Sequence, residues 1–128
     1  MPCTIDRLFP EGAFDAVAAR TRAALAANGF GVLTEIDMAA AMKARPSADL
    51  PAYLILGACN PKLALSAIEA EPKVGAMLPC NVIVRRVAGG VEVSAIDPAA
   101  SMMAIDTPAP HAVAGEVRDR PARAIAAI

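Results

Sequence analysis

The stretch Val82-Ile83-Val84-Arg85-Arg86-Val87-Ala88-Gly89-Gly90-Val91-Glu92-Val93-Ser94-Ala95-Ile96 decides how this chain is read. Two runs rich in β-branched residues flank a short segment holding two glycines, the pattern of a β-hairpin. A three-residue loop, Ala88 to Gly90, sets Arg86 opposite Glu92, and that opposite-charge pair favours it. A two-residue loop stays open as the alternative. The choice matters because a one-residue change of register moves every side chain to the other face of the sheet.

Upstream of the hairpin, Tyr53-Leu54-Ile55-Leu56 is an apolar run of strand length closed by Gly57. Asn60-Pro61 then starts a helix, because Asn supplies a side-chain acceptor at the N-cap and Pro enters the first turn with φ already set. That helix carries Ala64, Leu65 and Ile68 and breaks near Pro72; a shorter turn, Lys73–Leu78, ends at Pro79. Nearer the N-terminus, Thr4–Phe9 reads as a strand. Phe14, Val17, Ala18, Thr21 and Leu25 recur at helical spacing, and Asn28-Gly29 ends that helix through a left-handed glycine. Phe30–Ile36 is a further strand, and Asp37 caps a short helix over Met38–Ala44.

After the hairpin, Asp97–Pro110 is irregular. Val113, Val117, Ala124 and Ile128 then lie on one helical stripe, with a kink or break expected at Pro121. The order is β-α-β-(α)-β-α-β-β-α. Such an order fits an α+β fold with a single, mainly antiparallel sheet packed against helices. The 128 residues suit one domain, 1–128, with 104–128 as a helical tail.

Composition narrows the function. Hydrophobic residues make up 56% of the chain, but 31 residues are alanine, so the core must come from the Val, Ile, Leu, Met and Phe. A net charge of −1, no Trp and a single Tyr argue against nucleic acid, which needs a basic surface and stacking aromatics. No uncharged stretch approaches the roughly 18 apolar residues of a membrane span. Three cysteines and no basic, apolar leader point to the cytoplasm.

Chemistry has one candidate location. Cys59 precedes the helix start at Asn60-Pro61, where free N–H groups and the helix dipole would stabilise a thiolate and lower its pKa below about 8.5. Cys80 sits at the entry to the hairpin, and each of the two cysteines is followed by Asn. Convergence of the two thiols would offer a small-ligand site, a soft-metal site or a redox pair; against this, free Cys commonly packs as a small hydrophobe. Metal candidates are Cys59, Cys80 and Met102, a thiolate–thioether set suited to Cu(I). A four-ligand zinc set is not available with one His, His111. Glu35 and Asp37 share a strand face at i and i+2, with nothing else to support acid–base work. No phosphate loop, nucleophile elbow or metalloprotease motif is present, and no cofactor can be named.

Four ordered segments carry a family likeness: Asn28-Gly29-Phe30-Gly31-Val32-Leu33-Thr34-Glu35-Ile36-Asp37, Tyr53 through Pro61, Leu78-Pro79-Cys80-Asn81-Val82-Ile83-Val84, and Ala95-Ile96-Asp97-Pro98. From about Phe14 to Met103 the chain resembles the prokaryotic domain-of-unknown-function family 302. That resemblance implies an α+β domain of the TATA-box-binding-protein-like fold group, commonly a homodimer, without implying DNA binding. It maps the family pattern onto Cys59, Asn60, Pro61, Pro79, Cys80, Asn81, Asp97 and Pro98. A ligand pocket formed by Cys59, Asn60, Cys80, Asn81 and Asp97 is the resulting expectation. A thiol redox role and a purely structural dimerisation role are the alternatives.

Overall fold

Two residues, Ala88 and Gly89, connect the strands of the hairpin, so that Val87 pairs with Gly90 and Arg85 with Glu92. The favoured three-residue loop and its Arg86–Glu92 pair are therefore corrected. Burial explains the outcome. In the two-residue register Val82 and Val84 share a face with Val91, Val93 and Ala95, and all five are almost wholly inaccessible. The three-residue register would have set Val84 opposite Ser94 and Val82 opposite Ile96, on the face of Glu92.

The computed structural model describes residues 3–43, 45, 49–101 and 119–128. In chain order the elements are β1 (Thr4–Phe9), α1 (Phe14–Ala27), β2 (Gly31–Asp37), α2 (Met38–Met42), β3 (Tyr53–Cys59) and α3 (Pro61–Ala70). A 3-10 turn (Pro72–Met77), β4 (Cys80–Val87), β5 (Gly90–Ile96) and α4 (Pro98–Ser101) follow. Residues 119–127 form a last helix, α5. The sheet has the order β1-β5-β4-β3-β2, and every neighbouring pair is antiparallel. The α+β fold with one antiparallel sheet read from the sequence is the fold observed.

Local signals place the helices as expected. Gly29 at φ 84 ends α1, while the Asn28 side chain donates to the Ala24 carbonyl at 2.8 Å. Asp37 accepts from the Ala40 amide at 2.9 Å and caps α2; Asn60 accepts from the Leu63 amide at 3.1 Å and caps α3. Pro121 is buried and helical within α5. The kink expected there depends in part on residues 102–118, which lie outside the described residues, as do Met102 and His111.

One face of the sheet carries the core. Leu56, Ala58, Val82, Val84, Val91, Val93 and Ala95 pack with Val17, Ala18 and Leu25 of α1 and with Ala124 and Ile125 of α5. β1 ties down the end of α5: the Arg7 guanidinium Nη1 donates to the carbonyls of Ile125, Ala126 and Ile128 at 2.9–3.1 Å. These are the carbonyls a helix end leaves without intrahelical partners. Among the described residues no helix is long and apolar enough to cross a membrane.

Gly90 is where chain geometry permits no substitute. Its φ is +140, and a Cβ there would run into the Phe9 carbonyl oxygen and the Pro10 backbone. We expect Gly90→Ala to destabilise the fold by roughly 1–3 kcal/mol from backbone strain alone, with the clash adding to it. Gly89→Ala, whose Cβ meets nothing nearer than Leu8 at 4.0 Å, should change little. Urea denaturation of both variants checks this; equal midpoints would remove the argument.

Candidate functional site

The strand registers bring the expected site residues to one end of the sheet. Cys59 ends β3, Cys80 and Asn81 begin β4, and Asp97 follows β5. A small cavity at this end is lined by Cys80 and Asn81 but not by Cys59, Asn60 or Asp97. Cys80 pairs with buried Ala58, so it lies on the core face, whereas Cys59, one residue further along β3, lies on the other. The cavity lined by Cys80, Asn81, Ala58, Leu25, Phe30 and Pro121 holds about 10 Å³, room for about one water. Cys59 is not among its lining residues.

The remaining members have structural partners. Asn60 is the α3 cap, and the Asp97 carboxylate accepts from the Ala99 amide at 3.0 Å while its own amide donates to the Cys3 carbonyl at 2.7 Å. Glu35 forms an ion pair with Arg22 and Asp37 caps α2, so the acidic pair is also taken up by structure. Among the described residues, no group of three or more His, Cys, Asp or Glu side chains is placed to hold a metal ion.

Thiol electrostatics run opposite to expectation. Burial pushes the Cys59 thiol up, and burial followed by the nearby Cys59 pushes Cys80 up. The helix start does not reverse this for Cys59. Asn60 occupies the cap and Pro61 has no N–H, so the sulfur stands one residue before the donors that would favour a thiolate. Cys3, Cys59 and Cys80 are all free thiols.

A different set of residues converges on the outer face. Read across the strands β1, β5, β4, β3 and β2, one row is Leu8, Glu92, Arg85 and Tyr53. The next is Asp6, Ser94, Ile83, Ile55 and Ile36. Thr4, Asp6, Tyr53, Ile83, Arg85, Glu92 and Ser94 line a groove of about 340 Å³, inside the usual range of small-molecule sites. Arg85 donates to Glu92 Oε1 twice, from Nε at 3.0 Å and Nη2 at 2.7 Å. Ser94 is 5% exposed and lines this groove, between Asp6 and Ile83 in its row. Sequence reading missed this groove. The alternation Arg85/Ile83 against Glu92/Ser94 signals the β4–β5 part once the two-residue turn is taken, but nothing in the sequence shows that β1 lies beside β5.

The fold and this face define a small α+β domain with one sheet face buried and the other half-exposed. The family described as "Domain of unknown function DUF302" matches residues 8–128. The chain belongs to that family, and the match extends beyond the Phe14–Met103 range to take in the last two residues of β1 and all of α5. A crystal structure of an uncharacterized conserved DUF302 protein from Bacillus stearothermophilus is similar, with a TM-score of 0.90 over 98% of each chain at 21% identity. At that identity the likeness speaks for the fold alone. No curated protein matches the chain.

Because both thiol pKa values are raised, less thiolate is present at neutral pH than in free cysteine. Iodoacetamide should therefore modify Cys59 and Cys80 more slowly than free cysteine at pH 7, with the gap narrowing as pH rises. Mass spectrometry of timed digests reads this directly. Faster labelling of Cys59 at pH 7 would restore an activated thiol.

Proposed function

We propose that the chain is a small-ligand-binding domain whose site is the outer-face groove over Ser94, rather than the Cys59/Cys80 region. The observation that carries this reading is a groove of about 340 Å³ that sets a guanidinium, two carboxylates and a serine hydroxyl beside Tyr53 and Ile83. Ser94, 5% exposed, is the most deeply placed polar residue of its lining. A groove of this size admits a small molecule, and its mixed polar and apolar lining can hold one in a single orientation. Tyr53 and Ile83 supply apolar surface beside it, and the Arg85–Glu92 pair supplies orientation. The thiols support this choice by contrast: strand alternation puts them on opposite faces, and the cavity that Cys80 lines holds about 10 Å³. Three free thiols also suit residence in a reducing compartment such as the cytoplasm.

Homodimerisation is a second part of the proposal, supported by a separate observation. Ile83, Ile55 and Ile36 form an unbroken row across β4, β3 and β2 on the outer face, and Ile36 at the edge is 47% exposed. Two such rows related by a two-fold axis would cover each other, as isologous interfaces do. The groove spans β1, β5, β4 and Tyr53 of β3, so Ile83 borders both the groove and this row.

Two measurements test the pair of ideas. A small-fragment screen followed by amide chemical shifts should concentrate its perturbations on Asp6, Arg85, Glu92 and Ser94. Perturbations confined to the Cys59/Cys80 end would move the site back to the thiols. Sedimentation at micromolar concentration should show a dimer that Ile36→Lys converts to monomer, and a monomeric wild type would end the dimer reading.

A further inference from the structure

The charges lining the outer-face groove restrict what can occupy it, and this inference rests on the binding reading above. An apolar occupant would strip water from Arg85, Glu92 and Asp6 and return no hydrogen bonds. An anion would meet two carboxylates, while the one guanidinium lining the groove already gives Nε and Nη2 to Glu92. A cation gains little, because Arg85 neutralises Glu92 and the remaining acid, Asp6, is exposed to solvent.

What remains is a neutral molecule rich in hydroxyls. Ionised Asp6 and Glu92 only accept hydrogen bonds, Arg85 only donates, and Ser94 does both. A ligand must therefore present donors and acceptors within a few ångströms of one another, which neighbouring hydroxyls on one ring do. The C–H face of such a ring is apolar and suits Tyr53 and Ile83, on the β3–β4 side of the groove. We propose that the groove takes a neutral polyhydroxylated ligand of monosaccharide size, with Asp6 and Glu92 accepting from its hydroxyls, Arg85 donating to them, and Ser94 bonding the most deeply placed one.

The experiment is an amide chemical-shift titration of the full chain with glucose, galactose, mannose and ribose, run beside tetramethylammonium and citrate. At least one sugar should give saturable shifts at Arg85, Glu92 and Ser94. Ser94→Val should weaken that binding by about tenfold, the loss of one hydrogen bond. Should Ser94→Val not fold, Asp6→Ala at an exposed position should produce a comparable weakening. Sugar binding unchanged by the substitution overturns the proposal. Saturation by tetramethylammonium or citrate alone overturns the ligand class while leaving the groove in use. No saturable shift at these amides with any of the six probes overturns both the ligand class and the binding reading.

Discussion

Burial of one face of the β3–β4–β5 sheet against α1 is the constraint from which the rest of the molecule follows. Leu56, Val84, Val91 and Val93 on the strands and Val17 on the helix are each wholly inaccessible, and Leu25 is 1% exposed. Fully burying a side chain of this kind is worth about 1.5–3 kcal/mol. A slip of one residue in β4 or β5 would bring Arg85, or Glu92 and Ser94, into the apolar set, so the sum of those terms opposes every other register of the hairpin. The Arg–Glu attraction that favours a three-residue loop is small beside that sum, since surface ion pairs contribute at most about 1 kcal/mol. The two-residue turn keeps a salt bridge in any case, with Arg85 in place of Arg86.

The same alternation determines what the outer face can be. Every residue excluded from the core on β4 and β5 appears there, which is why a basic residue, an acid and a hydroxyl stand beside isoleucines. Ser94 is short and lies in the row between Asp6 and Ile83, so the surface dips where it stands. At the other edge the polar residues give way to Ile55 and Ile36. A polar hollow and an apolar row thus arise on one surface from a single periodicity.

The thiols illustrate how proximity along a sheet differs from convergence. Ala58 pairs with Cys80, which brings Cys59 within one residue of a cross-strand neighbour. Pleating then sends the two sulfurs to opposite sides. Both remain partly withdrawn from water, and that withdrawal holds each of them in the neutral form. A helix start lies one residue beyond Cys59, yet its Leu63 amide donates to the Asn60 side chain rather than to the thiol.

Local signals in the sequence determined the element order and most element ends, because caps and turns act within a few residues. Asp37, Asn60, Gly29 and the Pro61 helix entry all behave as their chemistry dictates. The valine pattern of β4 and β5 also contained the correct register, since only the two-residue loop collects Val82, Val84, Val91, Val93 and Ala95 on one face. Which distant segments become neighbours was settled by tertiary structure alone. Pairing of β1 with β5 sets Asp6 and Thr4 beside Ser94 and Ile96, although about ninety positions separate them in the chain. It also lets Arg7 hold the carbonyls at the end of α5. Long-range pairing of this sort depends on how whole surfaces are buried together, a property that no short stretch of residues carries.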